Sequence, residues 1–290
     1  MSIVGIVTDT SSSIPKDLVK EYGVYAIPVG FIINKKLYRD YVNITPEEFW
    51  KIFPTLQETP TTSAVSLGDF RQAFLDMSQK TNDIVCITLS KELSATHNAA
   101  LQAANMIMEE KPGLNVKVID SRTSAGALSL IVIEAARAAK AGKNIAEIIQ
   151  VIQNMIPKVK YFMMLESIKY IARIGRAPDA KTQTSTPQPA VQISPILGIV
   201  KPDTGLIQNL NRAANMDEAI AKGIEMVKDY IDVSRPVHFL LLYPDNLMKC
   251  QQIQTALCEK YKCAEVHIGQ FSPTTIIATG PMYSIAFWTD

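Results

Sequence analysis

Four clusters of hydroxyl side chains are the part of this chain best suited to chemistry, and they lie at residues 8–13, 61–66, 90–96 and 120–124. Three clusters follow short apolar runs that are typical of buried strands, and the second leads into a helical pattern. Hydroxyl and backbone N–H groups at the carboxyl ends of strands suit a small anionic head group. The clusters contain few acids and bases, so the pattern favours binding over acid/base catalysis.

The elements that must position these clusters alternate between strands and helices in the first half of the chain. Apolar runs at 84–89 and 116–119 are separated by helical patterns, which indicates a mostly parallel sheet. From about residue 161 the spacing of the elements changes. We therefore predict an α/β fold of two α/β domains. Residues 1–158 are expected to form an N-terminal domain around a mostly parallel, Rossmann-like sheet, and residues 159–290 a C-terminal domain of mixed α/β structure.

Local signals predict the bounds of several elements. Thr45 is followed by proline and, three residues on, by glutamate, which is a helix start. Asn144 is the expected N-cap of another helix. In the second half, apolar patterns predict strands at 237–243 and 274–279 and a helix at 246–261.

Composition and charge exclude several classes of partner. The chain has 290 residues, 47% of them hydrophobic, and a net charge of +1, which gives no electrostatic reason to expect nucleic acid or an anionic membrane surface. Its apolar stretches are interrupted before about 20 residues, so no stable membrane insertion is predicted. The N-terminus has no basic segment followed by a long apolar run, and four cysteines make no disulfide framework. These features favour a cytoplasmic setting.

Three cysteines and a histidine lie close enough in sequence to raise the alternative of a zinc site. They are Cys250, Cys258, Cys263 and His267. Their spacings differ from those of zinc knuckles, whose paired ligands are two to four residues apart. Cys250 and Cys258 lie in a helical pattern and are expected to share one buried face. We therefore predict core cysteines and no metal site.

The usual catalytic signatures are absent from the sequence. It contains neither a phosphate-binding nor a dinucleotide-binding glycine motif, so no cofactor is predicted. With three histidines in the chain, a Ser-His-Asp hydrolase has few ways to assemble. Asp9 and Asp120 end predicted strands and are expected to cap the turns that follow. No catalytic residue is assigned.

Six segments resemble, in the same order, the motifs of the DegV family. The segment at 89–96, LSKELSAT, is similar to the family's L-S-x-x-L-S-G-T element. The opening IVTDTSSSIP at 6–15 resembles the start of the same proteins. Each motif is weak alone, and six in order are specific. The remaining segments lie at 62–70, 119–126, 165–176 and 279–281.

This resemblance implies a DegV-like fold that binds one long-chain fatty acid and presents it to a separate fatty acid kinase. The protein itself would be a non-catalytic binding subunit. By resemblance, Thr62 and Ser94 donate hydrogen bonds to the carboxylate, Ser63 lies close by, and Arg176 lies at the domain junction. The other ligand-binding candidates in the matched segments are Thr96, Ser121 and Thr279.

The chain departs from the family pattern at three places. Ala95 stands where the family usually has glycine, and residues 64–65 replace a Gln-Pro pair. Ala278 stands where many members carry a histidine that contacts the carboxylate. We hypothesise that His97 substitutes for it, because a helix would place His97 on one face with Ser94, three residues earlier. An ordinary packed or solvated histidine is the alternative.

Two other functions stay open at this stage. The missing histidine leaves room for another amphiphilic acid, such as a sterol-like or isoprenoid acid. A hydrolase or transferase with Ser94 as nucleophile is the other alternative, although no base is clearly paired with that serine in the sequence.

Overall fold

Three β-sheets organise the part of the chain that the computed structural model describes, namely residues 4–167, 169–173, 196–200 and 203–290. The strands are β1 (Gly5–Asp9), β2 (Tyr25–Ile27), β3 (Gly30–Ile33), β4 (Lys36–Arg39), β5 (Thr61–Thr62), β6 (Asp83–Thr88), β7 (Asn115–Asp120), β8 (Lys160–Leu165), β9 (Ile196–Val200), β10 (Ile207–Arg212), β11 (Val237–Tyr243), β12 (Cys263–Gln270) and β13 (Met282–Thr289).

Helices cover the faces of these sheets, and two of them begin at the caps that the sequence predicts. Thr45 and Asn144 both form capping boxes, the first with Glu48 and the second with Glu147. The α-helices are α1 (Lys16–Tyr22), α2 (Pro46–Ile52), α3 (Leu67–Ser78), α4 (Thr96–Glu110), α5 (Ala125–Lys140), α6 (Ile145–Lys158), α7 (Lys169–Arg173), α8 (Met216–Met226), α9 (Leu247–Lys260) and α10 (Pro273–Thr279).

The first half of the chain contains the predicted parallel sheet, with strand order β2-β1-β6-β7. Helices α3 and α4 pack on one face, where Phe70 and Phe74 are fully buried. Small residues on α4, such as Ala100 and Ala103, are buried in the same cluster and allow close packing. A separate antiparallel sheet, in the order β4-β3-β5, carries the second hydroxyl cluster.

The second half is built on a six-stranded mixed sheet in the order β10-β9-β8-β13-β11-β12. Helix α5 lies between this sheet and the parallel one. It contacts strands of both sheets and is therefore buried on nearly all sides. At Gly126 the helix is so close to the mixed sheet that an added Cβ would lie 3.1 Å from the Cβ of Ala286. The α/β fold with a parallel and a mixed sheet is confirmed, and the division at residues 158 and 159 stays a prediction.

The strand predicted at 274–279 is wrong, because these residues form α10. The Ser272 side chain accepts a hydrogen bond from the backbone N–H of Thr275, and Pro273 occupies the first helical turn. This helix-start signal and the burial of Ile276 and Ile277 outweigh the strand preference of β-branched residues. The strand predicted at 237–243 is confirmed as β11.

The cysteines divide differently from the prediction. Cys250 is buried on α9 as expected, but Cys258 is exposed and forms a disulfide with Cys263 that the sequence analysis did not predict. The reason is helical geometry, because the buried face of α9 runs through Cys250, Ile253 and Leu257 and so passes beside Cys258. Within the described residues, no group of three His, Cys, Asp or Glu side chains is arranged to hold a metal ion.

None of the described helices has the length and hydropathy needed to cross a bilayer.

Candidate functional site

A cavity lies where the carboxyl edge of the parallel sheet meets α10 and the mixed sheet. Its volume is about 200 Å³. Its polar lining is hydroxyl-rich and consists of Asp9, Ser11, Thr62, Ser63, Ser94, Thr96, Ser124, Thr274, Thr275 and Thr279. Its apolar lining consists of Val29, Ala64, Leu89, Leu93, Ala95, Ala125, Met163, Ile171, Ile207, Ala278 and Met282.

The loop before α4 contributes the pair of hydroxyls at the centre of the sequence prediction. Ser94 Oγ and Thr96 Oγ1 are 2.9 Å apart, and Ser94 Oγ also accepts the Thr96 backbone N–H at 3.3 Å. Helix α4 begins at Thr96, and its N-cap residue, Ala95, supplies no side-chain cap. The first N–H groups of this 15-residue helix therefore lie at the cavity wall, where they favour an anion.

The antiparallel sheet β4-β3-β5, which we call the hairpin sheet, contributes Thr62 on β5 and Ser63 directly after it. Thr62 is opposite Phe31 in the pairing of β5 with β3. Ser63 Oγ donates a hydrogen bond to the carbonyl of Gly30 at 3.2 Å, so its proton is already used. Thr62 has no such partner among the described residues, and its hydroxyl is the freer donor of the two.

Thr279 lies at the end of α10, beside Ala278. Its hydroxyl is 2.9 Å from the carbonyl of Thr275 and 3.0 Å from that of Gly280, and it can donate to one of them. Ala278 lines the same cavity and offers no hydrogen-bonding side chain. At Gly280 the backbone φ is +74°, and a Cβ would collide with the Tyr170 ring, so a side chain is excluded there.

The structure does not bring His97 to this cavity. Its Nδ1 is 2.9 Å from Thr88 Oγ1, and its ring lines a separate cleft with Lys91 and Arg122. Burial lowers the pKa of His97. Because α4 begins at Thr96, Ser94 lies outside the helix, and the shared helix face behind the hypothesis does not form. A role for His97 in binding stays a prediction.

Of the two remaining predicted site residues, one lies away from this cavity and the other is not among the described residues. Ser121 is buried, and its hydroxyl lies 3.3 Å from both the carbonyl oxygen and the backbone nitrogen of Thr123, so it stabilises the turn after β7. Arg176 lies outside the described residues. Thr62, Ser63, Ser94, Thr96 and Thr279 therefore form the group that the fold assembles at one cavity.

Sequence reasoning missed a buried carboxyl group in the cavity wall. Asp9 is 1% exposed, and its Oδ1 accepts the Ser11 N–H at 2.8 Å, as the predicted turn cap requires. Its Oδ2 is buried without a hydrogen-bond partner among the described residues. Burial raises the pKa of Asp9, and hydrogen bonding from Ser11 opposes that rise. The only signal in the sequence was the position of an acid at a strand end inside a hydroxyl cluster.

A second buried carboxyl group, Asp40, lies near Asp9. Its Oδ2 accepts hydrogen bonds from Thr10 Oγ1 at 2.8 Å and Thr274 Oγ1 at 2.7 Å. Burial raises the pKa of Asp40 to about 7 against these bonds, and the neighbouring acid Asp9 adds to the rise, because two nearby carboxyl groups disfavour each other's ionisation. Asp40 follows the hairpin strand β4, far from β1 in sequence, so its proximity to Asp9 could not be read from a motif.

Comparison with known proteins gives a family match over nearly the whole chain. The model described as "Uncharacterised protein, DegV family" matches residues 3–290. A DegV domain-containing protein of Clostridium perfringens is 31% identical over 228 residues, which cover 78% of this chain and 77% of that protein. The protein DegV of Bacillus subtilis is 22% identical over 269 residues, which cover 92% of each.

Solved structures show the same fold at lower identity. A DegV family protein from Thermus thermophilus, described as binding fatty acid, has a TM-score of 0.87 and 19% identity and is matched over 100% of both chains. A protein from Eubacterium ventriosum, described as binding stearic acid, has a TM-score of 0.84 and 19% identity over 100% of this chain and 98% of that one.

Proposed function

This chain belongs to the DegV family, and on that premise we propose that its cavity binds one long-chain fatty acid. The observation that carries the proposal is the composition of the cavity lining. Hydroxyl groups, among them those of β5, the loop before α4 and α10, converge on a space whose remaining lining, apart from Asp9, consists of aliphatic and thioether side chains. A carboxylate with a long tail needs both kinds of wall.

The tail would take its affinity from the apolar side chains of the second half. Met163, Ile207 and Met282 line the cavity from three strands of the mixed sheet, and Ile171 lines it from α7. Each buried methylene contributes roughly 0.8 kcal/mol. A long chain therefore supplies most of the binding free energy, and the hydroxyl groups chiefly orient it.

The head group would be held by hydroxyl and helix N–H donors. A buried carboxylate without donors would lose its charge or fail to bind. Ser94 and Thr62 are the donors favoured by the geometry, because Ser94 lies at the start of α4 and the Thr62 hydroxyl has no other partner in the described structure.

The arrangement around Ser94 favours binding over covalent catalysis. A serine nucleophile needs a base within hydrogen-bond reach. The side-chain partner of Ser94 is the Thr96 hydroxyl, which is not a base at neutral pH.

Presentation of the head group to a separate cytoplasmic kinase is the further part of the proposal. Ser63, Ala64 and Ala95 line the cavity and are also exposed at the surface. The head group would therefore lie near the protein surface while the tail is enclosed. A kinase that docks at this rim could phosphorylate the bound carboxylate without extracting the tail.

Displacement of a fluorescent fatty acid by a panel of acids tests the proposal. A lost hydrogen bond to a charged group costs about 1.5–3 kcal/mol, so Ser94→Ala and Thr62→Val should each weaken binding by about tenfold or more. Ser234→Ala and Thr255→Val are matched controls on the exposed surface and should bind normally. Full affinity in both cavity variants, or preference for a sterol-like acid over linear acids, would contradict it.

A further inference from the structure

Asp9 carries the single ionisable side chain among the described residues that line the cavity. It ends β1, the strand at the centre of the first half, and its carboxyl group is fixed on one side by the Ser11 N–H. The other oxygen, Oδ2, is buried and has no partner in the described part of the chain. An unsatisfied buried acceptor is costly, and a proton on that oxygen removes the buried charge and leaves a donor that still needs a partner.

Among the described residues, Asp9 has no counter-ion. The titratable groups that interact with it are Asp40, from the loop after β4, and Cys86, on the neighbouring strand β6. Both are acids, and burial raises the pKa of each. No lysine, arginine or histidine of the described residues contributes to the pKa of Asp9, whose rise is caused by burial. Burial and acidic neighbours both favour the neutral form of a carboxyl group.

Ser11 adds a second polar atom with the same property. Its hydroxyl lies beside the Asp9 carboxyl group, yet makes no hydrogen bond of acceptable geometry within the described structure. Both residues line the cavity. Two polar groups in one wall, for which the described residues supply no well-placed hydrogen-bond partner, indicate a ligand atom that satisfies them.

We propose that Asp9 is a head-group-binding residue that donates its own proton in a hydrogen bond to the ligand's carboxylate. This inference rests on the proposed function and specifies how the negative charge is received. No covalent bond forms, and one proton is shared between the Asp9 carboxyl group and the ligand carboxylate. The Ser11 N–H holds Asp9 in place, and the Ser11 hydroxyl is the second donor.

Proton sharing makes the affinity depend on pH in a defined direction. As the pH rises above the pKa of Asp9 in the free protein, Asp9 loses the proton and its charge repels the ligand. Affinity should then fall by up to about tenfold per pH unit, since one proton is taken up with each ligand. Asparagine at this position would keep an oxygen for the Ser11 N–H and place a permanent N–H donor where Oδ2 lies.

The test is the affinity of palmitic acid for wild type, Asp9→Asn and Asp40→Asn between about pH 6 and pH 9, where the free acid stays ionised. The wild type should weaken with pH, Asp9→Asn should not, and at the upper limit Asp9→Asn should bind more tightly than wild type. Asp40→Asn is the matched control, because Asp40 is a buried acid outside the cavity lining. The affinity of this variant should still fall with rising pH. Circular dichroism reports whether each variant is folded.

Proton uptake by the wild type gives a second test that needs no variant. Calorimetric titration in two buffers of different ionisation enthalpy, at the alkaline end, should give about one proton per ligand bound. Zero uptake, or the same slope in Asp9→Asn as in wild type, would overturn the role of Asp9 and leave fatty-acid binding intact. Failure of the wild type to bind palmitic acid at any pH would overturn the proposed function as well.

Discussion

Two contact regions between the halves of this molecule shift the pKa of a carboxyl group in opposite directions. The first, the hydroxyl seam, consists of Thr10, Asp40 and Thr274, together with a hydrogen bond from the Ser272 N–H to Ser13 Oγ at 3.1 Å. The second, the charged seam, is centred on Arg137 of α5, which binds both oxygens of Glu265 of β12 at 2.7 Å. Its other members are Glu134, Tyr22, His238 and His267.

The comparison shows that hydroxyl groups do not replace a counter-ion. Asp40 accepts two hydroxyl hydrogen bonds and still has a raised pKa, because burial outweighs them. Glu265 accepts the Arg137 guanidinium, which lowers its pKa to about 2. The hydroxyl seam, which lies beside the cavity, therefore favours neutral carboxyl groups near an anionic ligand. The ionised carboxyl and guanidinium groups lie at the charged seam.

The largest expected effect is at the charged seam. Arg137→Ala would leave Glu134 and Glu265 partly buried without the guanidinium, so we expect a loss of roughly 3 kcal/mol in the free energy of unfolding, measured with urea. Arg71→Ala is the control, because it removes a more exposed pair with Glu110. Equal and small losses in both variants would mean that the charged seam does not hold the halves together.

The next effect is the pH dependence of stability at the hydroxyl seam. The pKa of Asp40 is 3.8 in a model compound and about 7 in the fold, so the folded state binds more protons. Its stabilising contribution is complete below about pH 4 and is lost as the pH rises to about 7. Asp40→Asn should flatten this decline by on the order of 2 kcal/mol, measured by chemical unfolding across that range. An unchanged decline in the variant would contradict a neutral Asp40.

A smaller effect is expected from the hydroxyl donor itself. Thr274→Val keeps the shape of a buried side chain and removes the hydrogen bond to Asp40, which should cost about 1 kcal/mol in the ligand-free protein. The cost should grow with pH, since the bond is stronger to ionised Asp40. Thr255→Val, on the exposed surface of α9, is the control. A loss of stability that does not change with pH would mean that the Thr274 hydrogen bond does not depend on the ionisation of Asp40.

Local signals predicted much of the fold, because caps and periodicity act over a few residues. The capping boxes at Thr45 and Asn144 begin α2 and α6, and the apolar run at 237–243 is β11. The strand predicted at 274–279 failed where a Ser-Pro start and burial of both isoleucines outweighed strand propensity. Local propensity decided only where tertiary packing agreed with it.

The site was predictable to the extent that the family resemblance gave the residues. Thr62 and Ser94 do line one cavity, although Thr62 belongs to β5 and Ser94 to the loop before α4. His97 does not join them, because α4 begins two residues after Ser94, which leaves that serine outside the helix and without a shared helix face. The nearness of Asp9 and Asp40 depends on how the hairpin sheet packs on β1, and neither spacing nor propensity encodes that contact.

Native mass spectrometry of the delipidated protein titrated with palmitic acid tests the central claim most directly. Fatty-acid binding in this cavity predicts a single adduct per chain in the wild type. It also predicts a much weaker adduct in Ala278→Phe, which places a ring in the cavity next to Thr279. A wild-type protein that takes up no palmitic acid, or a folded Ala278→Phe variant that binds it equally well, would contradict the account.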